Sequence, residues 1–230
     1  MSLLDLLFPK YCVRCRKMGA YVCAGCFVYI SFLEKGFCTV CQRQSIDYRT
    51  HPYCKTKYTI DGVFPSVAHS GVIKKLIYQF KYKPHVADLK KFLTELMYEG
   101  LIQKELFYSI LTPDSVLVPI PLYKTRLRTR GYNQSALLAA GLARQFSLRS
   151  EELLRRVKDT HTQVNLSQAQ RRENIKDAFM LNNALGVKLP KQVFLVDDIV
   201  TSGATLAEAA KTLKKAGVEK VWGIALAHGK

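Results

Sequence analysis

Asp197 and Asp198 stand side by side between an apolar run, Val193–Val196, and five small or hydroxylated residues, Thr201, Ser202, Gly203, Ala204 and Thr205. Two neighbouring carboxylates can accept hydrogen bonds from two neighbouring hydroxyls of a sugar ring. A loop of small residues with a glycine lets backbone N–H groups close on an anion. The helical pattern that follows (Leu206, Ala209, Ala210, Leu213, closed by Gly217) adds its own first N–H groups and the positive end of its dipole. Acids and loop in this order suit a phosphorylated ribose, with the 2′ and 3′ hydroxyls at the acids and the 5′-phosphate in the loop. No lysine follows the glycine and no G-x-G-x-x-G occurs, so the pattern is neither a Walker loop nor a dinucleotide fingerprint. The plainer alternative is a strand–turn–helix whose turn is capped by two acids.

A second chemistry lies at the amino terminus. All seven cysteines fall within the first 54 residues. Cys12 and Cys15, Cys23 and Cys26, and Cys38 and Cys41 form C-x-x-C pairs, and His51 with Cys54 restores the spacing as H-P-Y-C. Such pairs hold two ligands on a tight turn at a tetrahedral zinc, so eight ligands make two structural zinc sites. Sequential pairing puts Cys12, Cys15, Cys23 and Cys26 on one ion and Cys38, Cys41, His51 and Cys54 on the other. A cross-brace, first pair with third and second with fourth, is the alternative, and His51 could equally be a surface histidine. A segment this small cannot bury a core of its own, so the metal is expected to be required for its structure. The cysteine asymmetry divides the chain into a zinc-ribbon-like domain, 1–60, and a larger domain, 61–230.

The larger part must position the acids and the loop. Val63–His69, Val116–Ile120, Val193–Val196 and Val221–Ala227 are apolar runs of the kind buried on both faces of a sheet, with Val193–Val196 ending at the acidic pair. Ile73, Leu76, Ile77 and Phe80 repeat at helical spacing before Pro84, a second helix runs from about Val86 to Gly100, and Tyr132–Phe146 returns to helix. Leu153–Val157 is a candidate short strand. The strand Val116–Ile120 leads into a basic loop with Lys124, Arg126, Arg128 and Arg130. Ligands of doubly wound sheets bind at the carboxyl ends of strands, where these guanidinium groups could grip pyrophosphate oxygens in bidentate fashion; a solvated basic turn is the alternative. Tyr78 and Tyr82 among lysines could stack bases, whereas Phe80 reads as core. Thr162, Gln163, Ser167, Arg171, Arg172 and Asn174 suit either a lid over substrate or an exposed loop ending in a helix cap at Ser167.

The net charge of +17, from 35 Lys and Arg against 18 Asp and Glu, calls for a polyanionic partner (nucleic acid, a phosphorylated substrate or an acidic membrane surface) unless it serves solubility alone. No apolar run approaches the ~20 residues of a membrane span. The opening M-S-L-L-D-L-L-F reads as a short docking helix, not a secretory signal, and a cytoplasmic location is expected.

Val193–Thr205 closely resembles the phosphoribosyl pyrophosphate (PRPP) motif of type I phosphoribosyltransferases. The cysteine pairs, D-G, K-L-I-Y-Q-F-K-Y, V-P-I-P-L, R-x-R-G-Y-N-Q, T-Q-x-x-L-S-x-x-x-R-R-x-N and that motif follow in the order of the ComF family of bacterial competence-associated proteins, and the chain is identified as a resembling member. It departs from many relatives at His51, where they have cysteine. The resemblance implies a double zinc ribbon on an α/β, doubly wound type I phosphoribosyltransferase-like domain. It also implies handling of imported single-stranded DNA beside the DNA-uptake machinery. Asp197 and Asp198 would address the ribose, Thr201–Thr205 the 5′-phosphate, and Arg126 or Arg130 the pyrophosphate, with Mg²⁺ accompanying PRPP. Two functions remain open: an enzyme transferring the ribosyl group to an unidentified acceptor, and a DNA-binding module that keeps PRPP only as a ligand.

Overall fold

The computed structural model describes residues 9–82, 87–160, 167–182 and 189–229. The amino-terminal part carries little regular structure: one helical turn, α1 (Ala24–Phe27), a two-residue hairpin of β1 (Gly36–Phe37) with β2 (Gln44–Ser45), and the 3-10 turns Ile46–Tyr48 and Pro52–Cys54. It is nonetheless built into the body. The chain at residues 31–33 runs antiparallel to β3 (Gly62–Ala68): Phe32 bridges Val67, the Leu33 N–H donates to the Ser66 carbonyl at 3.0 Å, and the Ala68 N–H donates to the Ser31 carbonyl at 2.9 Å. β3 is the outer strand of the main sheet and contains Pro65, which an edge strand tolerates. The passing chain covers that edge.

The body continues through α2 (Gly71–Tyr82), α3 (Ala87–Ile102), α4 (Glu105–Ile110), β4 (Val116–Pro119), α5 (Lys124–Arg130), α6 (Gln134–Phe146) and β5 (Arg149–Ser150). After β6 (Leu154–Arg156), α7 (Gln168–Ile175) and β7 (Phe179–Leu181) come β8 (Gln192–Val200), α8 (Ala204–Lys215) and β9 (Lys220–His228). Five strands form an all-parallel sheet in the order β3-β9-β8-β4-β5. Their alternate residues enter two cores. Phe64, Leu117, Phe194 and Trp222 pack with apolar residues of α2, α3 and α6, and with Val13, Val22, Cys26 and Ile30 of the amino-terminal part. Val63, Val118, Leu195 and Val221 pack on the other face with Leu206, Ala209, Ala210 and Leu213 of α8 and with Leu154 and Phe179. This is the doubly wound α/β arrangement, and it explains why the strands read as uninterrupted apolar runs. Where α3 and α6 cross, a Cβ on Gly141 would lie 2.6 Å from the Thr94 hydroxyl, so only glycine permits that approach. Among the described residues no helix is long and apolar enough to cross a membrane.

Two local expectations are corrected, and a third, the short strand within Leu153–Val157, is met away from the main sheet. β8 does not end at the acidic pair but runs through it to Val200, because β9 extends alongside and pairs Asp197 with Ala225 and Ile199 with Ala227. The basic stretch Lys124–Arg130 is a helix, not a loop. Its Lys, Arg and Leu residues are good helix formers, and Gly131, at φ 77°, closes it in the left-handed conformation. The strand at Leu154–Arg156 lies outside the main sheet, in an antiparallel pair with β7. The opening octapeptide, Pro84, Thr162 and Gln163 lie outside the described residues. Ser167 does cap α7, in a reciprocal capping box with Gln170.

Asp61, at the junction, is the principal tie between the ribbon, the sheet and α8. Its carboxylate accepts from the Val221 N–H at 2.9 Å and pairs with Lys214 at 2.7 Å and Lys55 at 3.1 Å; the Asp61 and Lys214 side chains are only 2% and 6% exposed. Burial alone would raise this carboxyl, but Lys214, the Val221 N–H and Lys55 hold it below its ordinary 3.8. A folded value below the unfolded one means stability that is present above the unfolded pKa and lost as pH falls through the folded one. Asp61→Ala leaves the Lys214 cation buried without its partner, and urea unfolding should show a loss of about 3–5 kcal/mol. Asp61→Asn should flatten the acid limb of the stability–pH curve; an unchanged limb would remove Asp61 from this role.

Candidate functional site

The connection leaving β4 leads to β5 on one side, and that leaving β8 leads to β9 on the other. Between their carboxyl ends is the switch point where open α/β sheets bind ligands, and Asp197 and Asp198 lie there. Asp198 is buried, with Oδ2 2.7 Å from Lys81 Nζ at the end of α2. Asp197 Oδ1 accepts from the Ser135 hydroxyl of α6 at 3.0 Å and from the Asp198 N–H at 2.9 Å. Burial and the adjacent Asp198 push the Asp197 carboxyl up to about 7, against the opposing pull of Lys81, the Asp198 N–H and Ser135. His69, just beyond β3, shares this field: burial and the charges of Lys74 and Lys81 lower its pKa, with Asp198 opposing.

The loop after β8 is tightly set. Ser202 and Ala204 are buried, Thr201 and Thr205 are half-buried, and the buried Ser202 hydroxyl has no hydrogen-bond partner. Gly203 sits at φ 73° as the residue before α8, in the left-handed region that glycine enters freely. A Cβ there would lie 2.4 Å from Thr39 Cγ2, a side chain of the amino-terminal part. The start of the twelve-residue α8, with its dipole, therefore opens from a turn that only glycine can make.

Opposite the acids lies a pair of guanidinium groups. Arg126 of α5 donates to the Thr160 carbonyl and Arg156 of β6 donates to the Thr160 hydroxyl. Burial and the neighbouring Arg126 push Arg156 down to about 10, while Asp197 and Asp159 pull the other way. The two guanidinium groups are held beside one residue, Thr160, and Arg156 lies within the field of Asp197. Arg130 points elsewhere, donating to Gln134 Oε1 at 3.0 Å and to the Tyr82 hydroxyl at 3.4 Å, with its guanidinium 5.2 Å from the Tyr82 ring centre. Lys124 and Arg128 are exposed. Lys81, Ser135 and Arg156 were not singled out from sequence. Ser135 had a usable signal, since it lies in the first turn of α6, two residues after the helix-capping Asn133; Lys81 and Arg156 are two basic residues among many.

The amino-terminal ligands gather into two sets, Cys12, Cys15, Cys23 and Cys26, and Cys38, Cys41, His51 and Cys54, each with its donor atoms within 4.8 Å of one another. Sulfurs around a tetrahedral zinc with bonds of about 2.3 Å stand roughly 3.8 Å apart, so both sets fit that ion. The pairing is sequential, not cross-braced. His51 belongs to the second set: Nδ1 is 3.2 Å from Cys41 Sγ, and Nε2 is 3.0 Å from the Gln44 carbonyl, an arrangement that orients the ring with Nδ1 toward the metal. Each set supplies four ligands, as structural sites do. Zinc analysis after dialysis against a weak chelator should give two ions per wild-type chain and one per His51→Ala chain, with His51→Cys restoring the second. Equal retention by wild type and His51→Ala would exclude the histidine as a ligand.

Sheet, loop and acidic pair define a type I phosphoribosyltransferase-like domain carrying two zinc-ribbon sites. The phosphoribosyl transferase domain family matches residues 133–230, and the double zinc ribbon domain family matches residues 3–56. Competence protein F of Haemophilus influenzae is 31% identical over 226 residues, spanning 89% of this chain and 96% of that protein. DNA utilization protein YhgH of Escherichia coli K12 is 29% identical over 220 residues, 87% of this chain and 93% of that one. Competence protein ComFC of Streptococcus pneumoniae is 28% identical over 140 residues, 58% of this chain and 60% of that one. The chain belongs to the ComF family.

Proposed function

We propose that this protein binds PRPP, or another 5-phosphorylated ribose, at the Thr201–Thr205 loop and handles single-stranded DNA in the cytoplasm during natural transformation, beside the DNA-uptake machinery. The observation that carries the ligand reading is the convergence of three groups at one switch point. These are the acidic pair, the loop with its Ser202 hydroxyl unpartnered among the described residues, and Arg156, which feels Asp197 and shares Thr160 with Arg126. Asp197 and Asp198 would meet the ribose hydroxyls, the loop the 5′-phosphate, and Arg126 with Arg156 the pyrophosphate. Asp197 and Asp198 would stand beside the Mg²⁺ that accompanies PRPP, and that ion would supply positive charge to the ligand's anionic oxygens. Asp198 is already engaged by Lys81 and Asp197 by Ser135, so the acids fit such an ion as partners of a ligand-borne metal and not as a bare cage.

The DNA reading is supported by the outer side of α2. Tyr78 and Tyr82 are 60% and 58% exposed with ring centres 5.0 Å apart, Lys74 and Lys75 are exposed on the same helix, and Arg130 lies over Tyr82. Exposed rings among cations stack bases while the cations hold phosphates. Phe80 is fully buried and takes no part. The names of the relatives, competence and DNA utilization, agree with this role.

The Arg126–Arg156 pair also favours a second reading, an active phosphoribosyltransferase of nucleotide metabolism. There an acceptor nucleophile bonds to the anomeric carbon as the bond to pyrophosphate breaks. The two guanidiniums take up the charge of the departing oxygens, and the acids face the positive charge at the ring.

Calorimetry should show Mg²⁺-dependent PRPP binding by wild type, weakened at least about tenfold (1.4 kcal/mol) in Asp197→Ala/Asp198→Ala. Because Asp197 loses its proton only near pH 7, wild-type affinity should rise between about pH 6 and 8. Undiminished binding by the double variant would sink the assignment. For DNA, log K should fall with log salt by about 0.7 per contacted phosphate, and Tyr78→Ala should cost about 1–3 kcal/mol if one base stacks there. A flat salt dependence would leave only the enzyme reading.

A further inference from the structure

The second zinc site and the phosphate loop are one mechanical unit. Thr39 and Gln42 belong to the turn held by Cys38 and Cys41. Thr39 is only 4% exposed and packs directly on Gly203, where a Cβ would come within 2.4 Å of its methyl group. The Gln42 amide donates to the Ser202 carbonyl at 2.9 Å and to the Thr39 carbonyl at 2.9 Å, so one side chain bridges ribbon and loop. From the far side, Arg172 of α7 donates to the Val40 carbonyl at 2.6 Å and to the Thr39 carbonyl at 3.3 Å. Phe37, just before the first cysteine of the turn, stacks on His228 with ring centres 4.0 Å apart. The turn is thus fixed by its ligand set, by α7 and by the sheet, and it walls one side of the loop.

Two buried hydroxyls at this seam, Thr39 Oγ1 and Ser202 Oγ, have no hydrogen-bond partner among the described residues. A buried donor without an acceptor is unfavourable, and an anion oxygen relieves it strongly. We propose that Thr39 and Gln42 are positioning residues for the phosphate loop, so that zinc at the Cys38–Cys41–His51–Cys54 site and a phosphoryl group at Thr201–Thr205 bind cooperatively. This rests on the phosphoribosyl reading of the loop. Zinc fixes the turn, the turn holds Gly203 and Ser202 in place, and the loop meets its anion already ordered. By linkage, an anion that favours the ordered loop must hold the zinc more tightly by the same factor.

That reciprocity gives a measurement that does not depend on catalysis. The zinc affinity of the full-length protein is read by equilibrium competition with a chromogenic chelator, with and without saturating ribose 5-phosphate, whose binding is read separately by calorimetry. The transfer step belonging to the second site is the one missing in His51→Ala. Ribose 5-phosphate should tighten it about 5-fold or more, the lower end of coupling between linked sites, and should leave the Cys12–Cys15–Cys23–Cys26 step unchanged. In Thr39→Ala and Gln42→Ala the tightening should disappear and ribose 5-phosphate affinity should fall. Thr39→Val, which keeps the wall but not the hydroxyl, should retain part of both. Wild-type protein that binds ribose 5-phosphate but holds its second zinc with unchanged affinity overturns the coupling and leaves the phosphoribosyl reading intact. No binding by wild type overturns both, and tightening that survives in Thr39→Ala and Gln42→Ala removes these residues from the role.

Discussion

Two adjacent carboxylates at the closed end of a parallel sheet repel one another and lose hydration, and much of the surrounding structure answers that constraint. Lys81 neutralises the more buried acid at 2.7 Å, and Ser135 with the Asp198 amide shares the other. Arg156 adds a guanidinium within their field. Each comes from a different element: the end of α2, the start of α6, and the β6–β7 pair. Those elements are in turn pinned to one another. The Tyr132 hydroxyl donates to the Phe80 carbonyl, and the Asn133 amide, which caps α6, also donates to the Ile120 carbonyl at 3.0 Å.

The zinc ribbons are best understood against the same sheet. The chain between them covers the edge of β3, Val13 and Val22 extend one core, and Phe37 enters the other. A short cysteine-rich segment cannot bury enough apolar surface alone. Here the body supplies the burial, and the two four-ligand sets stand where a metal would fix the turns. Thr39 is the clearest product of that sharing, because a residue between two zinc ligands becomes part of the wall beside Gly203.

The apolar runs of the four long strands, the four ligand pairs and the acid–loop–helix pattern were legible in sequence because each is a local signal. Sequential ligand pairing was favoured by short spacings and is what the fold adopts. The features that sequence could not disclose are those decided by a distant partner. β8 continues past Asp197 because β9 runs beside it. Lys81 differs from other lysines only through Asp198, and Arg156 from other arginines only through Arg126 and Thr160. The basic helix α5 misled for another reason: its charges suggested a loop, whereas its backbone propensities favoured helix. Of its two arginines named for the pyrophosphate, Arg126 donates to the Thr160 carbonyl and Arg130 to the Tyr82 hydroxyl, contacts that spacing alone does not disclose.

That contact of Arg130 matters for how a ribose ligand and a nucleic-acid strand would share one molecule. α2 presents Lys81 to the acidic pair on its inner side and Tyr78 with Tyr82 to solvent on its outer side. Arg130 links Tyr82 to Gln134, the residue immediately before the Ser135 that holds Asp197. A shift of α2 that weakens Lys81–Asp198 therefore also disturbs the aromatic face and the start of α6. The lysines of α2 are thus divided between two settings: Lys81 compensates a buried acid within, while Lys74 and Lys75 are exposed without. Lys81 and Tyr82 are neighbours in sequence, so the contact to the buried acid and the contact to Arg130 leave the same end of one helix.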